Sequence, residues 1–316
     1  IEISDIAGCT LTDDTPDCSA ADIDRGLDEL DAMGVRQVIL VHKFDNALGG
    51  TRMDTGFNGV AVNIGNLLAS GHFWEVEPCT GAATDNAQPL TAPGAEDVTG
   101  MLPQGVTLPV YPEGPTCNTR GLTDLGEHAV RGLTERGMIV DVDHMGAKAA
   151  DETLDILEQA HYPHVISSHS WTDPHNYPRI LELGGFVSLM ANGSPDYVDR
   201  WQSLRADAPA DRLFGLGYSS DVNGFAAQVP PPDEGAGDTA DGRHVHYPYT
   251  TPDGTVMDRQ RTGDRVFDFR RDGVAQYGLY PDWIEDTRLR AGPGGDRLMT
   301  DMGHGAEAYL RMWEGR

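Results

Sequence analysis

Apolar positions along the chain follow two alternating rhythms. Short runs such as "VRQVILVH" (35–42), "MIVDVDH" (138–144), "HVISSHS" (164–170), "FVSLMAN" (186–192) and "LFGLGYSSD" (213–221) have the length and branched content of buried strands. The opening "IEIS" (1–4) reads the same way. Between these runs the spacing changes to that of helices. Ile23, Leu27, Leu30 and Met33 form one stripe, closed by Gly34 where a C-terminal cap belongs. Leu122, Leu125, Ala129 and Leu133 form a second, and Ala150, Leu154 and Leu157 a third. A short helix is expected over "YPRILELGG" and a further helix over "SPDYVDRWQSLRA", and the tail 296–316 is helical around Ala306, Leu310 and Trp313.

Repeated strand–helix alternation predicts a parallel sheet with helices outside it. A closed (β/α) barrel and an open doubly wound sheet share this grammar. No GxGxxG or Walker-type glycine pattern opens a helix, which weakens the nucleotide-binding version and favours a TIM-like barrel. Two stretches break the rhythm. Residues 44–120 are rich in Gly, Pro, Thr and Asn, and 226–275 in Pro, Gly and Asp; both read as long insertions with little regular structure. The whole of 1–316 is read as one domain.

In parallel α/β folds, ligands gather beyond the C-terminal ends of the strands. Here the polar residues collect at those ends: His42, Asp141, Asp143, His144, Ser168, His169 and Asp221. His144 and His169 are separated by about one β/α repeat, so their strands are expected to be neighbours, about 4.8 Å apart. Two imidazoles on adjacent strand tips can share a cation about 2.0–2.1 Å from each nitrogen. "SSHS" at 167–170 lacks the GxSxG elbow of a serine hydrolase, so its serines read as support for the histidine.

Charge and cysteines narrow the setting. A formal charge of −27 excludes nucleic acid as a partner. No run approaches the length of a membrane span. Cys9 and Cys18 bracket one short loop, Cys79 and Cys117 a longer one; two local disulfides would place the protein outside the cytoplasm, although four cysteines allow three pairings.

In order, "LDELDAMGVRQVILVH", "LTDLGEHAVRGLTERGMIVDVDHM", "VISSHS", "GLGYSSDVNG" and "YGLYPDWIED" resemble the membrane dipeptidase (renal dipeptidase) family, peptidase family M19, within the amidohydrolase group. The resemblance covers about 21–45, 121–190, 213–225 and 276–316. It implies a barrel of the metal-dependent hydrolase type holding two zinc ions, acting on a dipeptide or another small amide, and is compatible with a homodimer. Glu2 resembles the carboxylate bridging the two ions, and His144 and His169 the other ligands of one of them. Asp221 resembles the acidic ligand of the second ion and the base that moves the water proton. His42 resembles the histidine that stabilises the tetrahedral intermediate, and Arg179 the arginine that takes the substrate carboxylate. The family's HxD strand should lie upstream of Glu2, so a barrel lacking its first strand is expected, with one metal site complete. "HVH" at 244–246 falls after the other ligands and is topologically wrong for that strand. "DVDHM" and "DVNG" depart from the commoner "DLSHVS" and "DFDG", which leaves the substrate open: a non-peptide amide or lactone, or a silent barrel used for binding, are the alternatives.

Overall fold

The structure, a computed structural model, describes residues 8–12, 14–87, 102, 104–112, 114–221, 228–232 and 244–315. The chain gathers into two compact units, one running to Val187 and resuming at Arg311, the other spanning Ser188–Leu310.

In the first unit the expected strand–helix alternation is present. Helix α1 (Ala20–Ala32) leads to strand β1 (Gln37–Ile39) and later to helix α2 (Gly56–Ser70). Strands β2 (Val76–Pro78), β3 (Asn86–Ala87) and β4 (Pro115–Asn118) form a small antiparallel sheet in the order β2-β4-β3. Helix α3 (Asp124–Glu135), strand β5 (Ile139–Asp141), helix α4 (Ala147–Gln159), strand β6 (Val165–Ser167) and helix α5 (Tyr177–Leu183) then alternate, and strand β7 (Phe186–Met190) follows. β1 pairs parallel with β5, β5 with β6, and β6 with the first residues of β7. Thus the strands carrying His42, His144 and His169 just beyond their ends are immediate neighbours.

The second unit holds the rest of β7, helix α6 (Ser194–Asp207) and strand β8 (Gly217–Ser219), which pairs parallel with β7. Helices α7 (Tyr280–Arg290), α8 (Gly295–Gly303) and α9 (Gly305–Glu314) close the chain. Hydrogen-bond order across the parallel ladder is β8-β7-β6-β5-β1. Among the described residues this sheet is open, with β1 and β8 at its ends, so the expectation of a barrel is met only as far as a five-stranded parallel sheet. The expected strand over 1–4 lies outside the described residues.

The helical stripes mark the core well. Ile23, Leu27, Leu30, Ala129, Leu133, Ala150, Leu154 and Leu157 are all fully buried. Met33 is not: it caps α1 and stands 67% exposed. In α9 the helix is where the sequence puts it, but the stripe is wrong, since Leu310 is exposed while Met312 is buried. The insertion expected to be irregular carries the 15-residue helix α2, "GFNGVAVNIGNLLAS", whose three glycines masked its apolar period. The second insertion contains two short hairpins, Tyr249–Thr250 with Val256–Met257 and Arg261–Thr262 with Arg265–Val266. Both proposed disulfides are present, Cys9–Cys18 and Cys79–Cys117.

The first insertion does more than decorate the sheet. Thr123 caps α3 with its hydroxyl on the N–H of Gly126 and donates that hydroxyl to the carbonyl of Ala47 at 2.6 Å. Its backbone N–H reaches Leu48 O at 3.0 Å. This docking brings the loop so close to α3 that a Cβ on Gly126 would lie 2.0 Å from Leu48 O. We expect Gly126→Ala to destabilise the fold by about 1–3 kcal/mol, because backbone rather than a flexible side chain must give way. Urea denaturation against the parent protein measures the loss, and an unchanged midpoint would contradict the tight docking.

Candidate active site

The histidines do not sit in the strands themselves. β5 ends at Asp141, and His144 follows a turn with φ 70°. β6 ends at Ser167, and Ser170, just after His169, has φ 55°; Asp221, two residues past β8, has φ 46°. The strands therefore end before each histidine, and the chain enters the left-handed region at His144 itself and directly after His169. Such backbone costs about 1–2 kcal/mol per non-glycine residue, and it collects where function requires it.

These turns bring three rings together. The His42 and His144 ring centroids are 4.2 Å apart, and those of His144 and His169 4.8 Å. The two Nε2 atoms of His144 and His169 face each other at 2.8 Å. Behind His169 lies the fully buried Asp143. Its carboxylate accepts from the Ser167 hydroxyl at 2.6 Å, from the backbone N–H groups of His169 at 2.6 Å and Trp171 at 3.0 Å, and pairs with His169 Nδ1 at 3.0 Å. Because a carboxylate only accepts, Nδ1 of His169 carries the hydrogen and its Nε2 lone pair points at His144.

The segment 45–52 braces the same turns from the other side. Arg52 N–H donates to His144 O at 2.6 Å, and the Thr51 hydroxyl reaches His42 O at 2.6 Å. Asp45 in turn holds Thr51 N–H at 2.8 Å and the Asn118 amide at 2.7 Å. Trp171, its ring centroid 6.1 Å from that of His144, carries Lys43 Nζ at 5.0 Å and the Arg52 guanidinium at 5.6 Å. Lys43 also pairs with Asp54 at 3.1 Å. Arg52 donates to the carbonyls of Thr172 and Asp85.

Electrostatics keep the His144 ring uncharged. Burial, then the nearby His169, His42, Lys43 and Arg52 charges, hold His144 far below the usual imidazole range. A neutral ring is what a metal ligand or proton acceptor must be. Burial and the neighbouring Asp143 raise Asp141 to about 7. Burial also acts to raise Asp143, but hydrogen bonding and charge from His169 outweigh it and hold Asp143 below the usual carboxylate range. The pair thus divides into one carboxylate that stays ionised and one that holds its proton near neutrality.

The remaining expected residues fall as follows. Glu2 lies outside the described residues. Asp221 is exposed beyond β8 in the second unit. Arg179, expected to take a substrate carboxylate, has three carboxylates of its own: Glu158 and Asp155 at 2.6 Å and Asp151 at 3.2 Å, which tie α5 to α4. Those acids lie on one face of α4, a pattern visible in the sequence and overlooked there. The two histidines of "HVH" part company, with His244 buried against Asp286 and His246 exposed. Trp283 is fully buried in the second unit. Among the described residues no group of three or more His, Cys, Asp or Glu side chains converges as a metal site. Lys43, Arg52 and Trp171 were missed because nothing in the linear pattern places "HK", "TR" and "SW" in one spot.

No family model matches this sequence, and no curated protein matches it. Among solved structures it is similar to an amidohydrolase from Pseudomonas aeruginosa, with a TM-score of 0.46 and 14% identity over 93% of this chain and 69% of that one.

A further histidine, His175, gives a pH test. His175 is held by Asp151 at 2.9 Å and Asp173 at 2.7 Å, and these bonds raise it from 6.5 to about 9. A folded-state value above the unfolded one stabilises below pH of about 6.5 and loses that contribution as pH rises through about 9. Stability of the parent protein should fall across that window, and His175→Gln should flatten the fall. Urea titrations at a series of pH values measure both, and identical slopes would refute the assignment.

Proposed function

We propose that this chain is a metal-dependent hydrolase of small amides, with His144 and His169 as two of the ligands of a divalent ion. The observation that carries the reading is the approach of their Nε2 atoms to 2.8 Å on neighbouring strand ends, with Asp143 behind one of them. The donor set fits. Two imidazoles, one with its other nitrogen bonded to a carboxylate, form the arrangement by which proteins orient metal-binding histidines. In a tetrahedral zinc site the two nitrogens would stand about 3.3 Å apart, a small adjustment from the present separation. His144 Nδ1 is buried without a hydrogen-bond partner among the described residues, so nothing there fixes its tautomer against offering Nε2 to a cation.

Zinc bound there would activate a water and polarise a carbonyl. Asp143 fixes the His169 tautomer and ring direction. His42, half-buried beside His144, would donate to an oxygen on the substrate that gains charge. Lys43, partly exposed over Trp171, supplies positive charge for a carboxylate-bearing substrate, a task for which Arg179 is already engaged elsewhere. Dipeptides and N-acyl amino acids both meet that description. Two disulfides support an extracytoplasmic setting, and no helix among the described residues is long and apolar enough to cross a membrane.

Elemental analysis of the purified protein should find stoichiometric zinc, and chelation should abolish amide hydrolysis until zinc is restored. His144→Ala and His169→Ala should lose metal while keeping their circular dichroism, and Asp143→Asn should weaken metal affinity about 10–100-fold. Turnover indifferent to chelator sinks the reading, and metal-free protein without turnover would leave a binding role. Lys43→Met should raise KM for dipeptides more than for neutral lactones. An equal effect on both removes Lys43 from substrate recognition.

A further inference from the structure

Asp143 and Asp85 are both buried carboxylates, yet they are satisfied very differently. Asp143 collects its donors at 2.6–3.0 Å. One oxygen of Asp85 accepts from the backbone N–H groups of Asn118 and Ala147, both at 3.4 Å. The other stands 3.7 Å from Arg52 Nε, beyond hydrogen-bond reach, and neither of these two atoms has a hydrogen-bond partner among the described residues.

Arg52 connects this carboxylate to the histidines. Its backbone N–H bonds His144 O at 2.6 Å. Its guanidinium donates to the carbonyl of Thr172, three residues past His169, and to that of Asp85 at 3.2 Å. One residue thus staples the turn at His144 to the turn that follows His169. The guanidinium is nearly buried, its side chain only 10% exposed, and needs a counter-charge.

Each element packed on Asp85 contributes a polar or charged group. Arg52 comes from the crossing loop, the Asn118 N–H from β4, and the Ala147 N–H from the start of α4. Asn118 is held in turn by Asp45, through its side-chain amide. From beyond β6, Asp173 accepts the N–H groups of Thr84 at 2.8 Å and Asp85 at 2.7 Å. Burial acts to raise Asp173, but bonds from His175 and Thr84 outweigh it and keep it ionised, while His175 holds its proton up to about 9. Burial pushes Asp85 itself up to about 6, against the pull of Arg52. Linkage makes that pull reciprocal: a guanidinium that disfavours the proton is held less firmly once the proton is on.

We propose that Asp85 is a positioning residue for the histidine pair: its ionised carboxylate anchors the Arg52 staple, and protonation in mild acid lets the staple slacken. The open 3.7 Å contact allows the guanidinium to shift without a hydrogen bond breaking there. For the hydrolase reading, on which this one consequence rests, the device sets an acid limit separate from protonation of the imidazoles.

Amide hydrogen exchange on the full chain tests the device without metal or turnover, so its outcome is independent of the hydrolase assignment. The reporter is the Arg52 amide bonded to His144 O. Its protection factor, from which the intrinsic pH dependence of exchange is divided out, should fall about tenfold or more as pH is lowered through about 6. Asp85→Asn should remove this step and keep protection at the acid level throughout. In the parent protein, with no variant needed, the carbon-13 shift of the Asp85 carboxyl should titrate at the midpoint of the same step. The proposal is overturned if the parent shows no step, if Asp85→Asn retains it, or if the carboxyl titrates at a different pH from the amide.

Discussion

The candidate site depends on one buried carboxylate. Asp143 sits without solvent at the end of β5, and its two oxygens collect a serine hydroxyl, two backbone N–H groups and an imidazole N–H. An ionised group in that position is tolerable only because every lone pair is occupied. The same bonds that satisfy it also bend the chain after β6 and direct His169 toward His144. Removing Asp143 would therefore leave several buried donors unpaired as well as one histidine unguided. Stability and chemistry are coupled through a single side chain.

A second layer of constraint comes from the region that looked like an insertion. The loop 45–52 bonds the carbonyls of His42 and His144, and α3 is fastened beneath it by Thr123. Positioning thus comes from two directions: the strand ends of the parallel sheet and a loop that crosses them. Side chains carry much of this bracing, through the hydroxyls of Thr51 and Thr123 and the carboxylate of Asp45, so replacing them would leave buried backbone groups unpaired.

Legibility from the sequence followed the physics of each signal. α1, α3 and α4 were readable because their buried residues repeat at helical spacing against polar neighbours. The adjacency of β5 and β6 was readable because one β/α repeat separates their histidines. α2 was hidden by glycines, which remove the apolar face that a period needs. The pairing of Arg179 with α4 was overlooked because its partners are charges, which carry no burial signal, and they lie a whole strand away in the chain. Asp143 could be named from its place near a strand end, but its role could not, since its four donors, all within 167–171, reach it only once β5 and β6 lie side by side. Lys43, Arg52 and Trp171 show the same limit.

The disulfide Cys79–Cys117 ties the residue just past β2 to a residue within its partner strand β4, across 38 residues. The residue after Cys117 is Asn118, whose amide holds Asp45 and the carbonyl of Thr51. A thiol-rich compartment that opened this link would loosen the strand carrying Asn118, and through one amide the loop beneath His42 and His144. The oxidation state of the surroundings would then be felt at the imidazoles without any cysteine lying near them.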